Sequence, residues 1–589
     1  MSARELITEH LDLWTGAVTK KSSSGRGANG KVELTGIKKL RELILELAVR
    51  GQLIEQESCD TPASILVDEI HSHREKLVDE GNLKKQTKLY DIANADAPYR
   101  LPEGWEWCRM GELAEVIRGV TYKKHQVSEQ PRDEHVALLR ANNIQETITD
   151  ESVVYVPLEL INKRQLITEG DILIAMSSGS ANLVGKAAQA SSEIHATFGA
   201  FCAVIRPLGK KLSLYLGFFT TTPTYRQQAQ ASGKGIGINN LNKKALDNLL
   251  VPVPPIEEQH RIVQKVDELM ALCDRLEQQT SDQLEAHETL VDTLLGTLTQ
   301  SENATELADN WARLAAHFDT LFTTEQSIDK LKQTILQLAV MGRLVEQDDE
   351  DEPASHLLKC IDKEIGQRVS EGTIRKPKAL AMVEGSFPYD LPKGWRWEKL
   401  GRFTLIGTGA TPSRGRPDYY SPPEYPWVTS GETSQAFICD TKERVSSLAV
   451  KETNISIYPA GTLIVAMYGQ GKTRGQITEL KVAAGTNQAC AAIQPIIKDE
   501  SHRRYIKLCF IKLYDEIREV AAGGAQPNLN TGKIANTLIP LPPLTEQNRI
   551  VQKVDELMAL CDQLKERINQ ASETRCQLAE AVVEKGLSA

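Results

Sequence analysis

The sequence predicts an α+β protein in which two globular α/β domains are separated and joined by long antiparallel coiled-coil helices, with an internal pseudo-two-fold repeat. Two observations predict this fold. The segment RIVQKVDELMALCD stands at residues 261–274 and returns, letter for letter, at residues 549–562. Apolar or small side chains recur in alternating steps of four and three residues through both copies and continue after the second one, which is the spacing of a coiled-coil seam.

Two further segments repeat and extend the duplication to nearly the whole chain. Residues 37–56 match residues 328–347 at 12 of 20 positions. YRLPEGWEW at residues 99–107 returns as YDLPKGWRW at residues 389–397. Two copies this long are not a solenoid of short units, so we interpret them as two related halves of one protein.

The similarity between the halves is uneven. Residues 110–235 and 403–522 agree only at scattered positions, while the segments around them agree closely. One chain therefore holds two nearly identical frames around two different inserts. We expect the frames to meet each other or a repeated partner, and the inserts to bind two different targets.

Proline-rich motifs mark the domain boundaries. The P-x-P-P motifs at residues 252–255 and 540–543 continue neither a strand nor a helix, and acidic residues suited to a helix N-terminus follow them. The predicted division is 1–98, an N-terminal helical frame segment with a flexible loop at 20–31; 99–255, the first globular domain; 256–300, a central spacer helix; 301–388, a second helical frame segment; 389–543, the second globular domain; and 544–589, a C-terminal spacer helix.

Each predicted spacer helix carries one apolar seam. In the C-terminal helix the seam is predicted to continue through Ala571, Leu578 and Val582 with one polar interruption at Arg575. In the central helix it falters at three polar positions before it resumes at Leu290 and Leu294; these positions are Thr280, Gln283 and His287. An alternative is that both are helices of an ordinary core, but the length of the seam and the duplication favour an exposed antiparallel pair. The residues assigned to spacing and subunit docking are Ile262, Val266, Leu269, Leu276, Ile550, Val554, Leu557 and Leu564.

Composition excludes several classes of protein. The 589 residues are 41% hydrophobic and 25% charged, which is typical of a soluble protein of several domains. No stretch reaches the roughly 20 apolar residues of a membrane span, and the first residues do not read as a signal peptide, so we expect a cytoplasmic protein. The ten cysteines form no C-x-x-C pair, which argues against zinc and disulfide frameworks.

The charge is distributed unevenly. The whole chain has a net charge of −10, yet residues 100–256 carry 17 basic and 15 acidic side chains, and residues 390–544 carry 19 and 14. Both globular domains are therefore mildly basic within an acidic chain. An anionic partner is expected there.

Two motifs resemble enzyme sites and are rejected. AMYGQGKT at residues 466–473 has the spacing of a phosphate-binding loop, but no helical apolar period follows it. SPPEYPW at residues 421–427 resembles the loop of amino-methyltransferases, but Glu424 stands where an aromatic ring must stack on the base. The eleven histidines form no metal-binding cluster. We assign no catalytic residue and no metal ligand.

The remaining candidates form a binding surface. Arg, Asn and Gln contact base edges, and Lys neutralises phosphate; the alternative for each residue is a solvated loop. Arg414, Arg416, Lys472 and Arg474 lead because glycines and prolines place them on stiff, exposed turns. The first domain offers Arg118, Tyr122, Lys123, Lys124, Arg140, Asn142, Asn143, Lys186 and Lys234. The second offers Thr411, Ser413, Arg414, Arg416, Tyr419, Tyr420, Gln470, Lys472, Arg474 and Asn528.

The chain resembles the specificity subunit of type I restriction–modification enzymes. The resemblance lies in the alternation of frames and domains, the turn G-x-T-P-S-R at 409–414, P-W-V-T-S-G at 426–431, the strand G-T-L-I-V-A at 461–466, and N-Q at 487–488. It covers nearly the whole chain. The first domain departs from it, with IRGVTYKKH at residues 117–125 in place of the TPSR turn.

The resemblance implies a function and partners. The domains would be target recognition domains, each reading one half of a split, asymmetric site in double-stranded DNA. The frames would dock two methyltransferase subunits, which carry S-adenosylmethionine and methylate adenine, and restriction subunits that use ATP and Mg²⁺ would join them. The chain itself would be non-catalytic and hold no cofactor. A self-contained methyltransferase or restriction fusion, and a coiled-coil scaffold without DNA binding, remain alternatives.

Overall fold

The structure is a computed structural model, and it describes residues 3–20, 32–86, 88–92, 97–178, 183–232, 239–302, 304–381, 383, 387–469, 473–522 and 529–588. Most of the predicted loop at 20–31 lies outside these residues. The chain forms two compact units: unit 1 holds residues 1–283 and 570–589, and unit 2 holds residues 284–569. Among the described residues, no helix is both long and apolar enough to cross a membrane.

Unit 1 combines a helical frame with a strand-rich domain. Its helices are α1 Ala3–Thr8, α2 Leu11–Gly16, α3 Thr35–Val49, α4 Ala63–Asp79, α5 Met110–Leu113, α6 Lys210–Phe219, α7 Pro223–Ser232, α8 Lys243–Asp247 and the first part of α9 Ile256–Gln300. Its strands are β1 Thr19–Lys20, β2 Val32–Glu33, β3 Glu106–Arg109, β4 Ala114–Arg118, β5 His135–Leu139, β6 Val154–Pro157, β7 Ile172–Ala175, β8 Ser177–Ser178, β9 Ala187–Gln189, β10 Ala196–Phe198, β11 Cys202–Pro207, β12 Asn239–Asn240 and β13 Leu250–Val253.

Unit 2 repeats this order. After the end of α9, its helices are α10 Ala304–Ala316, α11 Phe318–Leu321, α12 Glu325–Val340, α13 Ala354–Ser370, α14 Ser447–Glu452, α15 Glu500–Ala522, α16 Thr531–Ala535 and the first part of α17 Leu544–Ser588, whose end belongs to unit 1. Its strands are β14 Arg396–Lys399, β15 Thr404–Thr408, β16 Tyr425–Val428, β17 Phe437–Ile438, β18 Glu443–Val445, β19 Leu463–Ala466, β20 Ile477–Leu480, β21 Gly485–Thr486, β22 Cys490–Pro495 and β23 Leu538–Leu541.

The two domains share one sheet plan although their sequences have diverged. In the first domain the central sheet has the order β4–β11–β7–β9, and neighbouring strands are antiparallel. In the second, β15–β22–β19–β20 repeats this order, and β17 adds a strand parallel to β20. Three-stranded sheets, β10–β5–β6 and β18–β16–β21, accompany them. The predicted α+β fold with two similar domains is confirmed.

The first and last strands of each domain pair with each other. β3 pairs with β13 so that Arg109 lies opposite Leu250, and β14 pairs with β23 so that Lys399 lies opposite Leu538. Both ends of the divergent part of each domain therefore meet at one strand pair. This arrangement explains how two different domains are seated on matching frames.

A glycine follows the end of the frame helix in each unit. Gly51 after α3 and Gly342 after α12 have φ angles of +68° and +70°, which favour glycine. A Cβ atom at Gly51 would lie 2.5 Å from Cγ of Pro102, and one at Gly342 would lie 2.5 Å from Cγ of Pro392. Only glycine therefore fits between the helix end and the following L-P-x-G-W turn.

The seam residues assigned from the sequence are all at least partly buried. In unit 1, Ile262, Val266, Leu269 and Leu276 pack in a cluster with α3 and with the end of α17. In unit 2, Ile550, Val554, Leu557 and Leu564 pack in a cluster with α12 and with the end of α9. Each unit thus pairs the start of one long helix with the end of the other, as antiparallel helices require. The short helices α3 and α12 complete the burial.

The predicted seam is wrong at four positions in the second halves of the long helices, whereas Leu294 and Val582 are partly buried as predicted. The exposed members are Leu290, Ala571, Arg575 and Leu578. Leu290 and Leu578 are 50% and 51% exposed, whereas Val291 and Ala579, one residue later, are buried. The inward face is therefore one residue out of the predicted phase in both helices.

One extra residue near the middle of each helix explains the shift. After Thr280 the next inward-facing position is Leu284, four residues along rather than the three that a heptad requires; after Ile568 it is Ser572. Such a stutter unwinds a coiled coil locally and shifts the seam. It falls where each helix passes from one unit to the other, at residues 283–284 and 569–570.

Candidate DNA interface

Three strand ends lie together at one edge of each central sheet. In the first domain β4 ends at Arg118, β7 ends at Ala175 and β11 begins at Cys202; antiparallel pairing sets Cys202 opposite Ala175 and Ala203 opposite Arg118. The loop segments 119–126, 176–178, 183–186 and 199–201 therefore share this edge, and we call them loop edge 1. The corresponding segments of the second domain, 409–420, 467–469, 473–476 and 487–489, lie at the ends of β15, β19 and β22 and are loop edge 2.

Most predicted residues of the first domain lie on or beside loop edge 1. Lys123 and Lys124 are exposed, Tyr122 and Lys186 are partly exposed, and Arg118 is exposed at the end of β4. Arg140 and Asn142 follow β5, whose Leu139 carbonyl accepts a hydrogen bond of 2.9 Å from Gly199 N of loop edge 1. Lys234 lies outside the described residues.

Asn143 is a correction to the predicted surface. Its side chain is fully buried. The amide nitrogen donates to the carbonyl oxygens of Thr149 and Glu151 at 3.0 and 2.8 Å, and the amide oxygen accepts from Arg140 N at 3.0 Å. Because the loop uses both its amide oxygen and its amide nitrogen, Asn143 shapes this loop instead of offering its side chain to DNA.

A basic cleft adjoins loop edge 1. Its volume is about 490 Å³, and the exposed Lys84 and Lys85 line it together with Arg118. Lys243 also lines it, and its ammonium group donates to the Val116 carbonyl at 2.8 Å. Lys84 and Lys85 are not among the contact residues predicted from the sequence, because they precede the domain in the chain. They offer positive charge to a phosphate beside the edge.

Arg414 leads the residues of loop edge 2. Its guanidinium lies 2.7 Å from Oε2 of Glu443, 4.9 Å from the centroid of the Tyr420 ring and 5.9 Å from that of Trp427. The Tyr420 hydroxyl donates to the Pro412 carbonyl at 2.7 Å, which holds the ring in place. Arg414 is thus exposed but positioned by an acid and two rings, which suits a planar fork that must meet a base or phosphate in one orientation.

Arg416 is held more tightly than Arg414. It lies 2.5 Å from Oδ2 of Asp418 and 3.5 Å from Oε2 of Glu452, and 4.4 Å above the Tyr419 ring. The Arg416 guanidinium lowers the pKa of the Asp418 carboxyl group. To reach a phosphate Arg416 would have to leave two carboxylates, so the geometry ranks it below Arg414.

The other predicted residues of the second domain are only partly described. Thr411 donates to the side-chain oxygen of Gln488 on the neighbouring loop, and Ser413 is exposed. Arg474 precedes Gly475, whose amide donates to the Ala466 carbonyl at 2.9 Å and closes the loop after β19. The strand β20, not a helix, follows, which agrees with rejecting a phosphate-binding loop. Gln470, Lys472 and Asn528 lie outside the described residues.

The two loop edges are built on the same backbone hydrogen bonds. Met176 N donates to the Phe201 carbonyl at 2.8 Å, and Met467 N donates to the Ala489 carbonyl at 2.7 Å. Gly185 N donates to the Ala175 carbonyl at 2.8 Å, matching the Gly475 bond in the second domain. Phe201 and Gln488, both exposed on these loops, were missed by the sequence analysis. Aligning TFGAFC at 197–202 with TNQAC at 486–490 on their cysteines would have placed both at the edge.

A buried carboxylate connects each domain to its long helix. Glu258 of α9 accepts from the Trp105 indole at 2.9 Å and from the Gln56 amide at 2.7 Å. The same contacts recur in unit 2, where Glu546 accepts from Trp395 at 2.7 Å and from Gln347 at 2.6 Å. Burial raises the pKa of both carboxyl groups. The direction of each long helix is thereby fixed against the L-P-x-G-W turn of its domain.

The chain is similar to known proteins over its whole length. A family model described as "Type I restriction modification DNA specificity domain" matches residues 102–286 and 392–573. The EcoEI and EcoAI type I restriction enzyme specificity subunits of Escherichia coli are each 34% identical to the chain, with 100% of both chains covered. The HsdS subunit from Thermoanaerobacter tengcongensis aligns with a TM-score of 0.41 and 19% identity, over 84% of this chain and 99% of that one. Matching domains on repeated frames, together with this full-length similarity, place the chain in the family of type I restriction–modification DNA specificity subunits.

Proposed function

We propose that the chain reads a bipartite, asymmetric DNA site, with loop edge 1 taking one half and loop edge 2 the other. The observation that carries this proposal is that the two edges have the same backbone hydrogen bonds but different side chains. The shared backbone arrangement holds the side chains of the two edges at corresponding positions. Because the side chains differ between the two edges, each edge can read a different base sequence.

The electrostatics of the edges support DNA as the ligand. Both domains carry a net positive charge within a chain of −10. Exposed positive side chains lie on both edges, with Lys123 and Lys124 in the first domain and Arg414 in the second. The basic cleft with Lys84 and Lys85 adds sites for the DNA backbone beside loop edge 1.

The partners follow from the family and from the repeated frames. We propose that the matching frame surfaces dock two methyltransferase subunits, and that restriction subunits join this core. S-adenosylmethionine, ATP and Mg²⁺ then belong to those subunits, while this chain is non-catalytic and holds no cofactor. It works in the cytoplasm, where the DNA that it reads is found.

Substitution of Arg414 tests the reading of bases. In the complex with its methyltransferase partner, Arg414→Ala should cost about 1–3 kcal/mol of binding free energy and relax one base position in one half-site, if the guanidinium reads a base. Arg414→Lys keeps the charge but loses the fork, so it should relax the same position. The matched control is Lys393→Ala, which removes an exposed cation away from loop edge 2.

Gel shifts at several salt concentrations and mapping of methylated sites provide the readout. An effect confined to one half-site supports the proposal. Equal weakening on all DNA sequences with a flatter salt dependence would make Arg414 a phosphate contact. A complex that binds DNA without sequence preference would favour the scaffold alternative, and binding of S-adenosylmethionine by the purified chain alone would favour the fusion enzyme.

A further inference from the structure

We propose that Phe201 is a specificity-determining residue of loop edge 1, and that its ring contacts the 5-methyl group of a thymine in the half-site which the first domain reads. The proposal rests on the proposed function, because it requires DNA at loop edge 1. It adds a base contact and a base preference that the charged residues of the edge do not provide.

The exposure of Phe201 is the first argument. Its side chain is 71% exposed, the largest exposed fraction among the large hydrophobic side chains of the described residues. Phe198, three residues earlier, is fully buried and packs in the core of the domain. Phe198 is therefore the aromatic side chain that this turn contributes to the core. Phe201 lies outside the core, on the loop that faces the predicted DNA.

The backbone around Phe201 is held firmly. Its carbonyl accepts hydrogen bonds from Met176 N at 2.8 Å and from Ser177 N at 3.3 Å. The next residue, Cys202, donates to the Gly199 carbonyl at 2.8 Å and begins β11. The turn that carries the ring is therefore fixed by backbone hydrogen bonds to a neighbouring loop of the edge. Because the backbone is already ordered, little backbone conformational entropy is lost when the ring contacts a ligand.

The second domain shows that the ring is not needed for folding. Ala489 occupies the position of Phe201, since its carbonyl accepts the bond of 2.7 Å from Met467 N and the residue after it, Cys490, begins β22. The same turn thus forms with a methyl group in place of the ring. The ring at this position is therefore available for recognition, because the fold of the turn does not depend on it.

The chemistry selects thymine. Among the base edges of the major groove, only thymine presents an apolar group, its 5-methyl, and phenylalanine is one of the side chains that contact it. Leu183, on the neighbouring loop of the same edge, is 41% exposed and adds apolar surface. At loop edge 2 the corresponding loops carry Gln488 and Arg474, which suit polar base edges.

The test uses the full chain in complex with its methyltransferase partner. Methylated sites are mapped first, and each thymine of the first half-site is then replaced, one at a time, by deoxyuridine, which lacks only the methyl group. The wild-type complex should bind one of these DNAs about three- to tenfold more weakly. Phe201→Ala, which installs the residue of the second domain, should bind that DNA and the thymine DNA equally.

The control variant is Leu214→Ala. Leu214 is 57% exposed on α6, outside the loop edge, and its loss should leave the thymine preference intact. If no thymine of the first half-site is sensitive to the methyl group, or if Phe201→Ala keeps the wild-type preference, the inference fails while sequence-specific binding still supports the proposed function. If the wild-type complex shows no sequence-specific binding, the proposed function itself fails.

Discussion

Replacing Glu258 by glutamine should loosen unit 1 and leave unit 2 unchanged. The carboxylate is 1% exposed and accepts from both Trp105 and Gln56. Glutamine keeps one acceptor oxygen and turns an NH₂ group toward the other donor, so one hydrogen bond to a charged acceptor is lost. Such a bond contributes about 1.5–3 kcal/mol, which corresponds to about a 10- to 150-fold change in an opening equilibrium.

Hydrogen exchange followed by mass spectrometry measures this effect locally. Amides of α3 and of the first turns of α9 should exchange faster by about that factor, because opening of the unit exposes them. The repeat supplies a matched control, since Glu546 makes the same contacts with Trp395 and Gln347. Glu546→Gln should therefore accelerate exchange in α12 and at the start of α17, and leave unit 1 unchanged.

Two results would refute this reasoning. Unchanged exchange in α3 after Glu258→Gln would mean that the buried contacts do not hold the helix to its domain. Equal acceleration in both units after a single substitution would mean that the units do not open separately.

Three further predictions follow from the frames and loops. The Arg549 guanidinium lowers the pKa of Asp351 below its ordinary value of 3.8. The ion pair therefore stabilises unit 2 at pH values above 3.8, and this stabilisation is lost as the pH falls through the lowered pKa. The free energies of unfolding in urea of Asp351→Asn and wild type should differ at about pH 7 and converge in strong acid. Asn143→Ala should cost about 2–4 kcal/mol of loop stability, seen as faster exchange at 140–152, whereas Asn142→Ala should not. Inserting one heptad at 283–284 and another at 569–570 preserves the seam and adds about 10 Å to each long helix. Methylation mapping should then show a DNA spacer that is longer by two or three base pairs, with both half-sites unchanged. An active complex that keeps the original spacer would contradict this prediction.

The frames could be predicted from the sequence because their signals are local and repeated. The seam from Ile262 to Leu276 consists of apolar residues at regular spacing, and its burial is as predicted. The phase after Thr280 could not be read, because polar residues carry no apolar period across the stutter. Glu258 could be recognised as a helix-start residue, but its bonds to Trp105 and Gln56 join segments that are far apart in the chain.

The loop edges were predictable only in outline. Glycine and proline placed Arg414 on an exposed turn, and the structure agrees. Asn143 has the same chemistry as Asn142 in sequence, yet hydrogen bonds to backbone six and eight residues away bury it. Phe201 reads as a core residue because aromatic side chains are usually buried, and only the structure reveals it as exposed.

The central claim is that each domain reads its half-site independently of the frame that carries it. The structure offers a clean exchange, since residues 110–249 and 400–537 each lie between the paired strands β3–β13 and β14–β23. The frame residues that pack on the first domain, such as Val49, Ala63 and Leu66, have the counterparts Val340, Ala354 and Leu357. A second copy of the first domain should therefore be accepted by the other frame.

The most direct measurement is methylation-site mapping in cells that carry a chain with residues 400–537 replaced by residues 110–249, together with the methyltransferase partner. We expect a symmetric site in which the first half-site occurs twice, in opposite orientations, and the second half-site is absent. Persistence of the original asymmetric site, or an active complex that still requires the second half-site, would contradict it.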